Sequence, residues 1–153
     1  LSNQHVCIIT AIKRFVHTIA RTLNYGKPSS LDLLRFGECL ESKSFVMLDG
    51  SNSYNELLES KNCTKKVLIS HESYDKFNHL NTVNSFHRLI EEKLQKYKGV
   101  ASKYINRYNA LFVMQRETQG MDNTEKLQYV LLRLKNIYKI TCLKDLKNEW
   151  LFT

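Results

Sequence analysis

The chain is poor in the residues that build small stapled or fibrous proteins. It has one Pro, five Gly, one Trp and four Cys in 153 residues. So little Pro and Gly excludes a low-complexity or collagen-like chain. The cysteines, at 7, 39, 63 and 142, share no zinc-ligand spacing. They read as reduced, mostly buried thiols and not as a disulfide set or metal site. No apolar run approaches the ~20 residues that cross a bilayer. No secretory pattern is present, so the expected compartment is the cytoplasm. Glycine-rich phosphate loops and Ser or Cys nucleophile motifs are missing. Acidic residues are also short: 15 Asp and Glu against 23 Lys and Arg, a net charge of +8. That excess points to a polyanionic partner, most simply nucleic acid, against the plainer reading of a solvated basic surface.

What is present fits one globular domain with a real core. His5 to Ile12 is rich in β-branched residues and reads as a buried strand. Lys13 to Phe15 turns the chain, and Val16 to Leu23 reads as the second strand of a hairpin. A loop carries Pro28. Ser29 or Ser30 caps a helix with Leu31, Leu34 and Leu40 on one side. Ser44 to Leu48 is a short apolar strand ending in Asp49-Gly50, with a helix over 52–60 and a further strand at Val67 to Ser70. Residues 71–79 read as loop. From Asn81 onward the pattern is helical. Asn81 is the expected cap, Leu89, Ile90 and Leu94 form a stripe, and Gly99 makes a break. Tyr104, Tyr108, Leu111 and Phe112 share a face. A third helix is capped by Asn123 or Thr124, with Leu127, Val130, Leu131, Leu134 and Ile137 on its apolar side. A last helix is expected over 143–152. The fold class is therefore α/β, a mixed sheet with a front hairpin followed by a helical C-terminal region.

Two residues stand out chemically. Asp49 sits at the end of a buried strand before Gly, which suits a metal ligand; D-G is equally a common turn pair. Asn84 lies in the first turn of a helix. Its side-chain oxygen can ligate a hard cation, or cap the helix.

The run Asn81 to His87, NTVNSFH, leads into a basic helix and then KGVASKYINRYNALF over 98–112. This block resembles the end of the catalytic domain of bacterial insertion-sequence transposases of the DDE superfamily, in which the third acidic position is often Asn. LDGSNSY over 48–54 and the YGKPSS turn over 25–30 resemble the same family. The resemblance covers roughly residues 1–114 and implies a partial RNase H-like catalytic domain there, lacking its first strand, with 115–153 a C-terminal helical extension. It implies DNA strand cleavage and transfer by two-metal phosphodiester chemistry with Mg²⁺ or Mn²⁺. Asp49 is then the second catalytic and metal-binding position and Asn84 the third. The partners implied are transposon ends and target DNA, with a homo-oligomer on paired ends and a nucleoid-associated location.

The strand of the first acid has no place before Leu1, nor has the family's amino-terminal DNA-binding region. Lys13 stands where related sequences tend to carry Asp, and Glu91, seven residues after Asn84, where they carry a DNA-contacting Lys. One carboxylate and one amide do not balance two divalent cations. The expectation is thus a truncated, inactive copy. Arg88, Lys93, Lys96, Lys98, Lys103 and Arg107 are the expected DNA contacts, against the reading of a solvated face diluted by Glu91 and Glu92. Tyr97, Tyr104, Tyr108 and Phe112 read as core. The alternative function is a non-catalytic basic DNA-binding or interaction module; a nuclease of the same fold is a third reading.

Overall fold

The structure, a computed structural model, describes residues 5–14, 17–68 and 78–134. Its organising element is a two-stranded antiparallel ribbon, β1 (Val6–Lys13) against β2 (His17–Tyr25). Successive side chains of a strand face opposite ways, and here both faces are used. Ile9 and Ala11 of β1, with Ile19 and Leu23 of β2, pack under helix α1 (Ser30–Phe36) against Leu33 and Phe36. Ile8, Ile12 and Ala20 face the other way. They meet Phe86 and Ile90 of α3 (Asn81–Lys96) and Phe112 of α4 (Ile105–Glu117). The ribbon is the middle layer between two helical layers, and each layer has its own apolar cluster.

Helix α1 starts with a full capping box. The Ser29 hydroxyl accepts the Asp32 amide, and the Asp32 carboxylate accepts the Ser29 amide. Those Ser29 hydrogen bonds hold the Asp32 carboxyl below its ordinary pKa. The helix runs only to Phe36 and tightens into a 3-10 turn over Gly37–Cys39. A Cβ on Gly37 would lie 2.0 Å from Leu57 Cδ1, so this close approach requires glycine. The buried face is Leu33 and Phe36, whereas Leu31 is exposed. The expected Leu31–Leu34–Leu40 face is corrected: the ribbon is met by Leu33 and Phe36, and at ~100° per residue Leu31 lies on the opposite side of the helix from Leu33.

A second, smaller sheet follows. Strand β3 (Phe45–Leu48) pairs in parallel with β4 (Thr64–Val67), from Phe45 opposite Thr64 to Leu48 opposite Val67. Parallel neighbours need a crossover. It is supplied by a 3-10 turn at Asn52–Tyr54 and helix α2 (Asn55–Ser60), anchored by buried Leu57 and Leu58. The fourth strand was expected from Val67 onward. It lies three residues earlier, because Thr64, Lys65 and Lys66 are exposed and pair through their backbones, which leaves no apolar signature.

Helix α3 begins at Asn81 with Leu80 at its cap and no side-chain cap bond, so Asn81 is not the cap. Lys98 and Gly99 both take positive φ where the chain turns toward α4. On α4 the buried positions are Ile105, Asn109 and Phe112. Tyr108 flanks this face, its ring 5.0 Å from Tyr97 and 6.2 Å from Phe112. These rings pack on one another, but the reading of all four aromatics as core holds for Phe112 alone: Tyr97 is 43% exposed, and Tyr104 and Tyr108 are half-buried. Helix α5 (Asn123–Leu134) is capped by Asp122, which accepts the Glu125 amide at 2.8 Å while Glu125 accepts the Asp122 amide. The cap thus lies one residue before the expected pair. The apolar positions of α5 are not in the core: Leu127, Leu131 and Leu134 are exposed. Ile137 and the expected helix over 143–152 lie outside the described residues.

Helix α4 also closes the free edge of β2. Asn106 Oδ1 accepts the Thr22 amide at 2.7 Å, and Glu117 Oε1 accepts the Thr18 amide at 2.7 Å. These amides point away from β1. Helix α4 therefore runs antiparallel to β2 and occupies hydrogen-bonding positions that a third strand would need.

Candidate functional site

Asp49 follows β3 directly, at the carboxyl end of a parallel strand. In βαβ units ligands bind at that end, because the chain leaves the sheet there and opens a crevice. Gly50 has φ +94°, a conformation suited to glycine, and a Cβ there would press on Val67 at 3.1 Å. Asp49 Oδ1 accepts the Ser51 amide at 3.3 Å, so part of its acceptor capacity is used within the turn. The carboxylate is exposed.

Asn84 lies in the first turn of α3, exposed, with its amide bonded to the Leu80 carbonyl at 3.0 Å. One turn further, His87 Nε2 shares a hydrogen bond with Thr10 Oγ1 of β1. Packing of this imidazole against β1 lowers its pKa, and the carboxylates of Glu91 and Asp49 oppose the shift. Asp49 also acts on Tyr54. Burial, then the Asp49 charge, then Cys7 raise its phenol pKa. The end of β3, the middle of β1 and the first two turns of α3 therefore converge. Asp49 and His87 lie within electrostatic reach, and Asn84 sits one turn from His87. The sequence reading had named His87 only as a neighbour of Asn84; its Thr10 partner is 77 positions away and carries no local signal. The other flanking histidine, His79, has a buried Nδ1 with no hydrogen-bond partner among the described residues, and its carbonyl accepts Arg14 Nη2 at 2.8 Å.

The donor set is thin for two divalent metals. Among the described residues no three His, Cys, Asp or Glu side chains converge. Asp49 supplies one carboxylate and Asn84 one neutral oxygen. Hard divalent cations take several oxygen donors, with carboxylates carrying the charge. The residues present do not fit a complete two-metal centre.

The basic residues divide by helix face. Arg88 and Lys96 are exposed on α3, Lys98 is exposed in the turn, and Arg107 is exposed on the side of α4 opposite Ile105 and Phe112. Lys93 is half-buried on the Phe86 side of α3 and does not share the Arg88 face. Lys103 Nζ stands 5.1 Å above the Tyr104 ring. No ion pair joins Glu91 or Glu92 to Lys96 among the described residues, so these carboxylates dilute the basic face of α3 without pairing along it. Lys13, at the end of β1, pairs instead with Glu41 at 3.2 Å, both exposed. An open cleft on the other side of α4 is lined by Arg21, Asn24, Asp32, Arg35 and Asn106. It shares no residue with the Asp49 region.

A further cluster had no sequence forecast. The Glu117 carboxylate, 8% exposed, takes four partners: the Thr18 amide, His17 Nδ1 at 3.0 Å, the Tyr129 hydroxyl and Arg133 Nη2 at 2.9 Å. Burial, and then donation to Glu117, raise the Tyr129 pKa. Tyr129 and Arg133 stand four apart on α5, so the cluster fastens α5 to β2. Its signal was the i, i+4 Tyr–Arg pair alone.

The model of the ISXO2-like transposase domain family matches residues 2–117. The chain belongs to that family, the insertion-sequence transposases, and its role lies in DNA transposition. No curated protein and no solved structure matches the chain. No described helix is long and apolar enough to cross a membrane.

Proposed function

We propose that this domain serves DNA strand cleavage and transfer, with Asp49 and Asn84 as the second and third positions of a catalytic centre in an RNase H-like frame. The observation that carries this reading is the convergence of β1, the end of β3 and the first turns of α3: His87 bonds to Thr10 of β1, the Asp49 charge reaches His87, and Asn84 lies one turn away. In the family such centres hold divalent cations. Here one carboxylate and one amide leave the centre short of charge, so these 153 residues alone do not complete it. The chain by itself is inactive in this reading. Residues 1–114 form the catalytic part and 115–153 a helical extension, acting as a homo-oligomer on paired DNA ends.

Two measurements separate the site from the inactivity. In a nicking assay with Mg²⁺ or Mn²⁺ the isolated chain is expected to leave DNA intact; robust nicking that is lost in Asp49→Ala overturns the inactivity. In NMR spectra, dilute Mn²⁺ is expected to broaden the Gly50 amide and the Asn84 side-chain amide together, and less so in Asp49→Ala. Broadening that bypasses Asn84 removes it from the site.

A second reading, a non-catalytic basic DNA-binding module, is favoured by the exposed Arg88, Lys96, Lys98 and Arg107 around the α3–α4 turn. Phosphate contacts make affinity fall with salt, by a slope of about 0.9 per phosphate neutralised. Lys96→Glu with Lys98→Glu should lower the slope by about 2. An unchanged slope argues against contact at this turn under either reading.

A further inference from the structure

The cleft bounded by β2, α1 and α4 has a volume of about 770 Å³, within the ~300–1,000 Å³ of ligand sites. Two arginines reach it from different elements. Arg21 shares its strand face with Ile19 and Leu23, the face that packs under α1, and is exposed. Arg35 stands one turn after Asp32 on α1, beside the buried Phe36, and is exposed as well. Helix α4 supplies the opposite wall with Asn106 and Ala110.

Among the described residues Asp32 is the sole acid of the lining. Its Oδ2 already accepts the Ser29 amide at 3.0 Å, the Ser29 hydroxyl at 2.6 Å and Asn24 Nδ2 at 2.6 Å. The α1 cap and the Asn24 amide therefore occupy it, and the Arg35 charge reaches it only at longer range. Neither guanidinium donates a hydrogen bond to an acceptor among the described residues. Each is a planar fork of N–H donors with no acceptor of its own. Two positive charges border the cleft against one negative charge.

An occupant must bring negative charge and oxygens that match these forks. Phosphates and carboxylates both do so. Three observations favour the phosphates of a nucleic acid. The chain as a whole carries a net charge of +8, which draws a polyanion. Its family acts in DNA transposition. The cleft is open, so a polymer can pass along it, whereas a small anion would stay mostly in water. Between the arginines, Leu23 and Ala110 offer no polar side-chain atom, which suits the C–H surface of deoxyribose.

We propose that the cleft between α1, β2 and α4 is a DNA-binding site apart from the Asp49 region, in which Arg21 and Arg35 hold backbone phosphates. It shares no residue with Asp49 or Asn84, so its binding of DNA does not rest on their catalytic reading.

The test uses the whole chain and a labelled DNA duplex of arbitrary sequence, followed by anisotropy. Between about 50 and 200 mM salt, wild type should weaken about 12-fold more than the double variant Arg21→Gln with Arg35→Gln, because two phosphate contacts are lost. Both side chains are exposed, so thermal unfolding and Thr22 amide protection should stay at their wild-type values. Asp49→Ala should keep the wild-type salt dependence, which separates this site from the catalytic reading. In NMR spectra the duplex should shift the backbone amides of Arg21 and Ala110 and the Asn24 side-chain amide. An unchanged salt dependence in the double variant overturns the proposal. So does a duplex that shifts the α3–α4 turn and leaves the cleft amides unmoved. A poly-glutamate peptide that moves the cleft amides where DNA does not also overturns it, and gives the cleft to an acidic protein segment.

Discussion

Glu117 offers the sharpest test of how the helical layers are held to the ribbon. Its carboxylate is 8% exposed and accepts from the Thr18 amide at 2.7 Å, from Arg133 at 2.9 Å and from Tyr129, with His17 at 3.0 Å. Consider Glu117→Gln, which keeps shape and removes charge. The amide oxygen can still accept the Thr18 amide, and the new NH₂ can donate to the Tyr129 oxygen. Arg133 has only donors and loses its charged partner, keeping the Tyr129 hydroxyl at 2.9 Å. That pair is half-exposed, so its loss costs about 0.2–1 kcal/mol. Turning the other charge-assisted bonds into neutral ones adds about 0.5–1 kcal/mol. The sum, about 1–2 kcal/mol, lowers the melting midpoint by roughly 2–8 °C for a domain of this size. Glu117→Ala goes further. It strips the Thr18 amide of its acceptor, at about 1–3 kcal/mol for that group alone. Hydrogen exchange reads out the place as well as the amount. Thr18 protection should persist in Glu117→Gln and fall in Glu117→Ala, along with protection in α5, while Thr22, held by Asn106, stays protected. A Glu117→Ala protein as stable as wild type, or one that loses Thr22 protection first, would refute the reasoning.

Gly37→Ala should destabilise by about 1–3 kcal/mol in chemical denaturation, because the new methyl lands on Leu57 and both are buried. Phe112→Ala, at a site with no exposure, should cost about 3–5 kcal/mol; a loss under about 1 kcal/mol would mean that the cluster against α3 is not closed. Ser29→Ala removes the α1 cap and should cost about 1 kcal/mol, with the Asp32 carboxyl titrating at higher pH in NMR. For His87, burial holds the imidazole below its ordinary pKa, so the folded protein carries fewer protons than the unfolded chain. Its stabilising contribution is present above pH ~6.5 and is lost as pH falls through the lowered folded value. His87→Gln should therefore flatten the fall in stability below neutral pH; an identical acid limb in both proteins would show that His87 is not desolvated.

The parts of the fold readable from sequence are those whose burial follows one period. The β-branched runs of β1 and β2 announce a hairpin, and Phe86, Leu89, Ile90 and Leu94 announce α3. Misreadings occur where the backbone, not the side chains, does the pairing. Thr64 to Val67 form a strand through parallel hydrogen bonds while their side chains stay in solvent. Leu31 was expected inward and is exposed, because a seven-residue helix can bury only one side and the ribbon meets the side of Leu33 and Phe36. Asn109, fully buried on α4 with its Nδ2 near Thr22 Oγ1 at 3.4 Å, looks like a surface residue in sequence. Asp49 could be chosen as a site residue because a carboxylate followed by Gly at a strand end has a physical meaning. Its link to His87, and that of His87 to Thr10, could not be seen, because they depend on how α3 crosses the ribbon.

The clamp of α4 on β2 gives the ribbon a polarity. Asn106 and Glu117 consume the outward amides of Thr22 and Thr18, so no further strand can add on that side without expelling two side chains. Among the described residues β1 hydrogen-bonds to β2 alone. Extension of this sheet, whether by a segment of the same polypeptide or by another molecule, has one permitted direction: alongside β1. A closed flank thus acts as a guide. It leaves an incoming strand only the β1 edge and shields the opposite edge from chance pairing and aggregation.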